Sequence, residues 1–179
     1  YKHFLHTGFV SMDPHSGEIK AWVGGINYKH FKYDHVRQGK RQPGSTFKPI
    51  VYATILGEAG NSYSPCYKVV DAPVTFFTGD EDHPTWTPQN AEGKYSGDTL
   101  TLRQAMARSV NSITAYMMKI MGVQTPYMVQ KYARRLGITS HLEPVPAMCL
   151  GTFDVSVYEM VGAYSTFVNK GIYTKPRFI

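Results

Sequence analysis

The sequence has no long hydrophobic run and little cysteine. No stretch of its 179 residues approaches the roughly 18 consecutive apolar residues that a membrane-spanning helix requires. Its two cysteines, Cys66 and Cys149, do not have a Cys-x-x-Cys spacing, and its seven histidines form no cluster with metal-ligand spacing. We therefore predict no metal and no cofactor. The cysteines fit either one disulfide or two separate thiols, and the sequence leaves both interpretations open.

Charged residues are also scarce. They make up 18% of the sequence, whereas hydrophobic residues make up 42% and aromatic residues 13%. Disordered chains have the opposite bias, so the composition indicates a folded domain. The sixteen glycines and eleven prolines follow no period, which excludes a collagen-like chain. The net charge is +6, but the basic residues are scattered and form no nucleic-acid-binding signature, so we expect no nucleic-acid partner.

The order of strand and helix signals predicts an α+β fold. In chain order, the sequence predicts a strand hairpin (7–25), a helix (45–57), a long loop (60–98), a helical block (99–171) and the start of a strand (172–179). Capping boxes at 101–104 and 156–159 predict two helix starts within the helical block. The loop at 60–98 is expected to be without regular structure and to line a site, as long loops of compact domains often do.

Ser45 and Lys48 form the first candidate catalytic pair. Residues three apart on a helix project from the same face, and Pro43-Gly44 predicts a turn directly before Ser45. A serine hydroxyl is a weak nucleophile until a base takes its proton, and a neutral lysine amine can be that base. A helix N-terminus and partial burial both lower a lysine pKa. The pair predicts a serine nucleophile with a lysine base, although a capping serine beside a surface lysine gives the same pattern.

Ser109 and Asn111 form the second candidate pair, at the junction between two predicted helices. A serine hydroxyl can relay a proton, and a carboxamide can hold a peptide group. Taken alone, this triplet also fits a helix end whose polar side chains cap the next helix.

Together, the Ser-x-x-Lys tetrad and the later Ser-x-Asn triplet are the ordered signature of serine acyltransferases that react with penicillin. The chain resembles the transpeptidase domain of bifunctional, class A penicillin-binding proteins from about Phe9 to Phe178, and the Arg-Gln-Pro-Gly prefix at 41–44 favours that class. The segments that carry the resemblance are 12–14, 17–19, 23–25, 41–49, 86–90, 101–105, 109–111, 136–138, 150–152 and 163–171.

The resemblance implies an activity, and with it a fold of the penicillin-binding-protein and β-lactamase type. Ser45 would attack the penultimate D-alanine carbonyl of a peptidoglycan stem peptide, and Lys48 would be the general base. Ser109 would pass a proton to the leaving amine, and Asn111 would hydrogen-bond the substrate amide. β-Lactams would acylate Ser45 as substrate mimics. The implied location is the extracytoplasmic, periplasmic face of the bacterial inner membrane. Trp86 and Gln89-Asn90 are left out of the catalytic set, because a buried indole anchoring a loop explains that segment equally well.

One motif of the family is missing. No Lys-[Thr/Ser]-Gly triplet occurs in the sequence. Tyr1 opens the chain without an initiator Met, and we expect the chain to be an incomplete piece of a longer polypeptide with an upstream glycosyltransferase domain. The 179 residues alone are expected to be labelled by fluorescent penicillin far more slowly than the intact protein, and to self-associate through an uncovered hairpin edge. Labelling at the intact rate by a clean monomer in size-exclusion chromatography would contradict this expectation.

Two other functional classes remain open at this point. In a D,D-carboxypeptidase or a β-lactamase, water rather than an amine resolves the acyl-enzyme, and the class A segments argue against both. A non-catalytic scaffold of the cell envelope that kept the motifs is the other alternative, and β-lactam labelling separates it from an enzyme.

Overall fold

The computed structural model describes residues 5–58 and 62–178, and short strands alternate with helices along them. The α-helices are α1 (Lys48–Glu58), α2 (Leu102–Ala107), α3 (Asn111–Ile120), α4 (Thr125–Arg135) and α5 (Val157–Val168). The strands are β1 (Phe9–Met12), β2 (Ile19–Val23), β3 (Lys40–Arg41), β4 (Lys68–Val70), β5 (Phe76–Phe77), β6 (Thr85–Trp86), β7 (Thr99–Thr101) and β8 (Val155–Ser156). Within these ranges, no helix has the length and apolar character needed to cross a lipid bilayer.

The chain divides into two compact units. The first comprises the described residues of 1–42, 131–142 and 153–179, and the second those of 43–130 and 143–152. The four predicted site residues all belong to the second unit.

The first unit is built around an antiparallel hairpin of β1 and β2, in which Phe9 lies opposite Val23. The Asp13 carboxylate accepts hydrogen bonds from the backbone N–H groups of His15 (2.8 Å) and Ser16 (3.0 Å), which closes the turn. Gly17 follows at φ +78°, a left-handed conformation that favours glycine. Helix α5 packs on β1, and the short pair β3 and β8 is also antiparallel.

The second unit has its core between α1, α3 and a 3-10 helix at Pro146–Leu150. Ile50, Val51 and Ile55 of α1 lie at helical spacing and are fully buried. Ile113, Ala115 and Met117 of α3 are fully buried as well. The buried residues of this core are Phe47, Ile50, Val51, Ile55, Ile113, Ala115, Met117, Met118, Met148 and Cys149. Burial of these side chains fixes α1 and α3 against each other, and both helices carry site residues.

Both predicted capping boxes are present. Thr101 Oγ1 accepts a hydrogen bond from the Gln104 N–H at 3.2 Å, and the Gln104 side chain accepts one from the Thr101 N–H at 2.9 Å. Ser156 and Glu159 make the same reciprocal pair at the start of α5. Local hydrogen-bonding chemistry therefore determines where α2 and α5 begin.

The described part of the predicted loop at 60–98 is not structureless. It contains β4, which pairs with β7, and β5, which pairs with β6. Strands of two or three residues are too short to give a periodic apolar pattern, so the sequence does not reveal them. Residues 172–178 likewise form no continuous strand, and Arg177 makes a single parallel bridge to Glu18 beside the hairpin.

The cysteines are free thiols, with Cys66 exposed and Cys149 buried. The structure therefore agrees with two separate thiols and not with a disulfide.

Candidate active site

Ser45 lies in a 3-10 helix at Gly44–Phe47 that leads directly into α1. The Ser45 carbonyl accepts a hydrogen bond from the backbone N–H of Lys48, which joins the two helices without a break. The serine side chain is exposed and makes no hydrogen bond to any described residue. Its hydroxyl is therefore open to an incoming group.

Two glycines fix the backbone immediately before Ser45. The Gly44 N–H donates to the Gly151 carbonyl at 3.2 Å, and both glycines have positive φ. A Cβ atom on Gly151 would collide with the backbone oxygen of Gly44. Only glycine at position 151 permits this approach. Residues 150–152 are one of the segments that carry the family resemblance, and the structure places Gly151 against the turn that presents the serine.

The side chain of Lys48 is almost completely buried, at 2% exposure. Its Nζ donates hydrogen bonds to the carbonyl oxygen of Ser109 (2.6 Å), to Ser109 Oγ (3.1 Å) and to Asn111 Oδ1 (2.6 Å). These contacts join α1 to the loop between α2 and α3. The structure thus brings together three of the four predicted site residues, and Ser45 lies one helical turn before the lysine.

The surroundings of Lys48 make its amine easier to deprotonate. Burial lowers the pKa of Lys48 from 10.5 to about 8. No carboxylate among the described residues forms an ion pair with it. Cys149 is the nearby titratable group, and burial raises the pKa of its thiol to about 12, so it is uncharged at neutral pH. A substantial fraction of Lys48 is therefore unprotonated near pH 8.

Ser109 has an unusual backbone conformation, with φ +56°. Left-handed geometry costs a non-glycine residue about 1–2 kcal/mol, so the surroundings must hold it. Two backbone hydrogen bonds do so: the Ser109 N–H donates to Met106, and the Val110 N–H donates to Ala105. As a result both the carbonyl and the hydroxyl of Ser109 contact Lys48, while the residue stays exposed to solvent.

Asn111 is the first residue of α3, and the segment at 89–90 holds it in place. Asn90 Oδ1 accepts hydrogen bonds from the backbone N–H groups of Asn111 (2.9 Å) and Ser112 (3.1 Å). Asn111 Nδ2 donates to the Gln89 carbonyl at 2.8 Å. With its amide nitrogen bound there, Asn111 must present Oδ1 to Lys48. Sequence reasoning left Gln89 and Asn90 out of the site, although the preceding Trp-Thr-Pro was the available signal.

The groups gathered here are an exposed hydroxyl, an amine of lowered pKa, a second hydroxyl and an oriented carboxamide. Among the described residues, no group of three or more potential metal-ligating side chains occurs. Such a set can deprotonate a serine, pass the proton on and hold a peptide group, which are the elements of acyl transfer through a serine ester.

The chain matches known proteins along nearly its whole length. Residues 7–179 match the family model of the penicillin binding protein transpeptidase domain. The chain is 34% identical over 175 residues to penicillin-binding protein 2D of Bacillus subtilis, covering 98% of this chain and 24% of that protein. It is 36% identical over 168 residues to penicillin-binding protein 1A of Neisseria meningitidis, covering 93% of this chain and 20% of that protein. The chain therefore spans a fifth to a quarter of these relatives.

Solved structures of penicillin-binding proteins have the same fold as this chain. Penicillin-binding protein 1A of Haemophilus influenzae superposes with a TM-score of 0.85 at 26% identity, over 96% of this chain and 24% of that one. The penicillin-binding protein PonA1 of Mycobacterium tuberculosis gives 0.77 at 28% identity, over 94% of this chain and 44% of that one. The chain therefore belongs to the penicillin-binding protein transpeptidase family, with class A proteins among its relatives.

Proposed function

We propose that the protein is a peptidoglycan D,D-transpeptidase that works through an acyl-enzyme on Ser45. The observation that carries this proposal is the buried Lys48 amine, which has a lowered pKa, contacts Ser109 and Asn111, and lies one helical turn after the exposed serine. Each of these groups has a task in acyl transfer.

In the first half-reaction, Ser45 Oγ attacks the carbonyl carbon of the penultimate D-alanine of a stem peptide. The hydroxyl proton moves to Lys48 Nζ as the new C–O bond forms. When the C–N bond breaks, the proton returns through Ser109 Oγ to the departing amine, and terminal D-alanine leaves. The 3.1 Å contact between Lys48 Nζ and Ser109 Oγ supports this relay, because it is already within proton-transfer reach.

In the second half-reaction, an amine of a neighbouring stem attacks the ester carbon. Its proton is taken by the same lysine and serine and is delivered to Ser45 Oγ as the C–O bond breaks, so the serine hydroxyl is regenerated and a cross-link remains. Asn111 Oδ1 uses one lone pair for Lys48 and has a second to accept a hydrogen bond from a substrate N–H. The backbone N–H of Ser45 supplies one donor for the developing oxyanion.

The partners and location follow from the same proposal. Peptidoglycan stems are the substrates, β-lactams are covalent inhibitors, and the site faces the extracytoplasmic side of the inner membrane in the bacterial cell envelope. A glycosyltransferase domain works beside this one in the complete protein.

The test is where a penicillin adduct forms on the protein, and whether its formation requires Ser45. Mass spectrometry of the protein encoded by the native gene, after penicillin treatment, should place one adduct on the peptide that contains Ser45. Ser45→Ala should carry none, because no other residue replaces the hydroxyl. Ser109→Ala and Asn111→Ala are the matched controls: both should form the adduct on Ser45, but more slowly. An adduct that survives Ser45→Ala would rule out the assignment.

A further inference from the structure

Asp71 is a buried carboxylate close to the site that the reaction described above does not use. It follows β4 and is 4% exposed. Its Oδ1 accepts hydrogen bonds from Asn90 Nδ2 (2.8 Å) and Ser112 Oγ (2.5 Å). Its Oδ2 accepts them from the backbone N–H (2.8 Å) and Oγ (2.9 Å) of Ser96. Burial would raise the pKa of Asp71, but these hydrogen bonds outweigh it and hold the pKa below its ordinary value.

The contacts of Asp71 continue to the lysine. By binding Asn90 Nδ2, Asp71 fixes which end of that carboxamide faces α3. Asn90 Oδ1 is then the acceptor for the first N–H groups of α3, those of Asn111 and Ser112. Val110, the residue at the N-cap of α3, provides no side-chain cap, so the cap comes from Asn90 instead.

The same residues border a cleft that reaches the site. A cavity of about 260 Å³ is lined by Asp71, Asn90 and Ser96 on the one hand, and by Ser109 and Val110 on the other. The hydrogen bonds of Asp71 therefore lie in the wall of a cleft that the relay serine also lines. A small displacement of α3 would change both the cleft and the Lys48 contacts.

We propose that Asp71 is a positioning residue for acyl transfer, which acts through Asn90 to set the N-terminus of α3 and hence the Asn111 carboxamide against Lys48. This inference rests on the proposed function for its activity readout. A carboxylate is required at position 71 because all four of its partners act as donors. A misplacement of about 1 Å in a catalytic group can cost on the order of 100-fold in rate.

An exchange of side chains tests the proposal. Asp71→Asn puts an amide nitrogen against either Asn90 Nδ2 or the Ser96 N–H, so two donors face each other. Asn90→Asp keeps the cap on α3 but sets two carboxylates against each other. The double variant Asp71→Asn/Asn90→Asp restores the pairing between positions 71 and 90, because the new amide at position 71 donates to the new carboxylate at position 90 and the Ser112 hydroxyl turns to accept. It loses the longer hydrogen bond from Asn90 Nδ2 to the Lys94 carbonyl (3.3 Å). Asp98→Asn is the matched control, since Asp98 lines the same cavity through an exposed side chain.

The readouts are the rate constant and the final stoichiometry of labelling by fluorescent penicillin, on the protein encoded by the native gene. Each single variant should lose about 10- to 100-fold in rate constant with unchanged final stoichiometry, and the double variant should recover to within about threefold of wild type. Asp98→Asn should label normally. Amide hydrogen exchange at Asn111 and Ser112 should speed up in Asp71→Asn and return to the wild-type value in the double variant.

Three outcomes overturn the proposal or its basis, and they are distinguishable. If the single variants lose stoichiometry but the labelled fraction reacts at the wild-type rate, Asp71 only stabilises the fold. If the rate constants are unchanged, or the double variant shows no recovery, Asp71 does not position Asn111. If the wild-type protein is not labelled, the proposed function fails. The positioning role is then judged by amide hydrogen exchange alone, and unchanged exchange rates at Asn111 and Ser112 in Asp71→Asn would overturn it.

Discussion

Replacement of Lys48 by arginine is expected to abolish acylation of Ser45 on any practical timescale. A guanidinium keeps the positive charge, but it does not give up its proton at working pH and so is not a base. General-base catalysis by a positioned side chain typically contributes about 100- to 10,000-fold in rate. Because the Lys48 side chain is buried against Ser109 and Asn111, no solvent group takes its place. We expect a loss near the upper end of that range, measured as the rate constant of fluorescent penicillin labelling.

The pH dependence of the labelling rate of the wild-type protein is a second test of the general-base role of Lys48. With a pKa of about 8, roughly one-tenth of the Lys48 side chains are neutral at pH 7. Since the neutral amine is the reactive form, the labelling rate should rise about tenfold per pH unit below pH 7 and level off above about pH 8 to 9. Any residual labelling of Lys48→Arg should lack this rise.

Lys119→Arg is the matched control. Lys119 lies on α3, is exposed, and donates a hydrogen bond to the Thr75 carbonyl at 2.7 Å. This contact needs only a cationic donor, which arginine supplies, so labelling should remain normal. Near-normal labelling of Lys48→Arg, with its circular dichroism unchanged, would remove the lysine from the general-base role.

The candidate pairs could be read from the sequence because their chemistry is local or tied to short motifs. Ser45 and Lys48 are one helical turn apart. Each of the two capping boxes is a four-residue motif that predicts the N-terminus of a helix. The contact between Lys48 and Ser109 crosses 61 positions of the chain. The sequence assigns the two pairs to one site only through the family resemblance, because spacing along the chain carries no information about residues so far apart.

The roles of the supporting residues were not predictable for a related reason, although Asn90 and Gly151 lie in segments 86–90 and 150–152, which carry the family resemblance. Asp71 and Asn90 are 19 positions apart, in a segment whose strands are too short to show a period. An isolated Asp or Asn in such a segment looks like any turn residue. The need for glycine at position 151 was equally hard to predict, since it comes from the close approach of Gly44, which lies more than a hundred residues earlier in the chain. Tertiary packing, and not local pattern, determines these positions.

Glu159→Gln is expected to destabilise the first unit more than any surface substitution would. The carboxylate is 7% exposed and accepts six hydrogen bonds. Oε1 binds the N–H and Oγ1 of Thr139 and the N–H of Ser140, and Oε2 binds the Ser140 hydroxyl and both the N–H and Oγ of Ser156. Thr139 and Ser140 follow α4, and Ser156 begins α5, so one side chain joins the two helices.

A glutamine cannot replace this carboxylate, although it serves equally well in a capping box. Its Nε2 would face backbone N–H groups that now donate to the carboxylate, and those donors would lose this acceptor. Breaking a buried charged network of this kind costs about 2–4 kcal/mol. Thermal unfolding followed by circular dichroism near pH 7 should show the loss.

The pH dependence has a definite sign. Burial would raise the pKa of Glu159, but the hydrogen bonds from Ser156, Ser140 and Thr139 lower it from 4.5 to about 2. A carboxylate whose pKa is lower in the folded state stabilises the fold fully above its unfolded pKa, and this contribution disappears as the pH falls to the folded pKa. The stability difference between wild type and Glu159→Gln should therefore be constant above about pH 5 and shrink between about pH 4.5 and 2.

Glu18→Gln is the matched control for this comparison. Glu18 is paired with Lys20 at 2.6 Å on the hairpin surface, where solvent and salt screen the interaction. The Glu18→Gln variant should unfold close to the wild-type temperature at every pH. Added salt should remove any small difference that remains. If Glu159→Gln unfolded at the wild-type temperature, or if its deficit persisted undiminished at pH 2, the six hydrogen bonds would not depend on the charge.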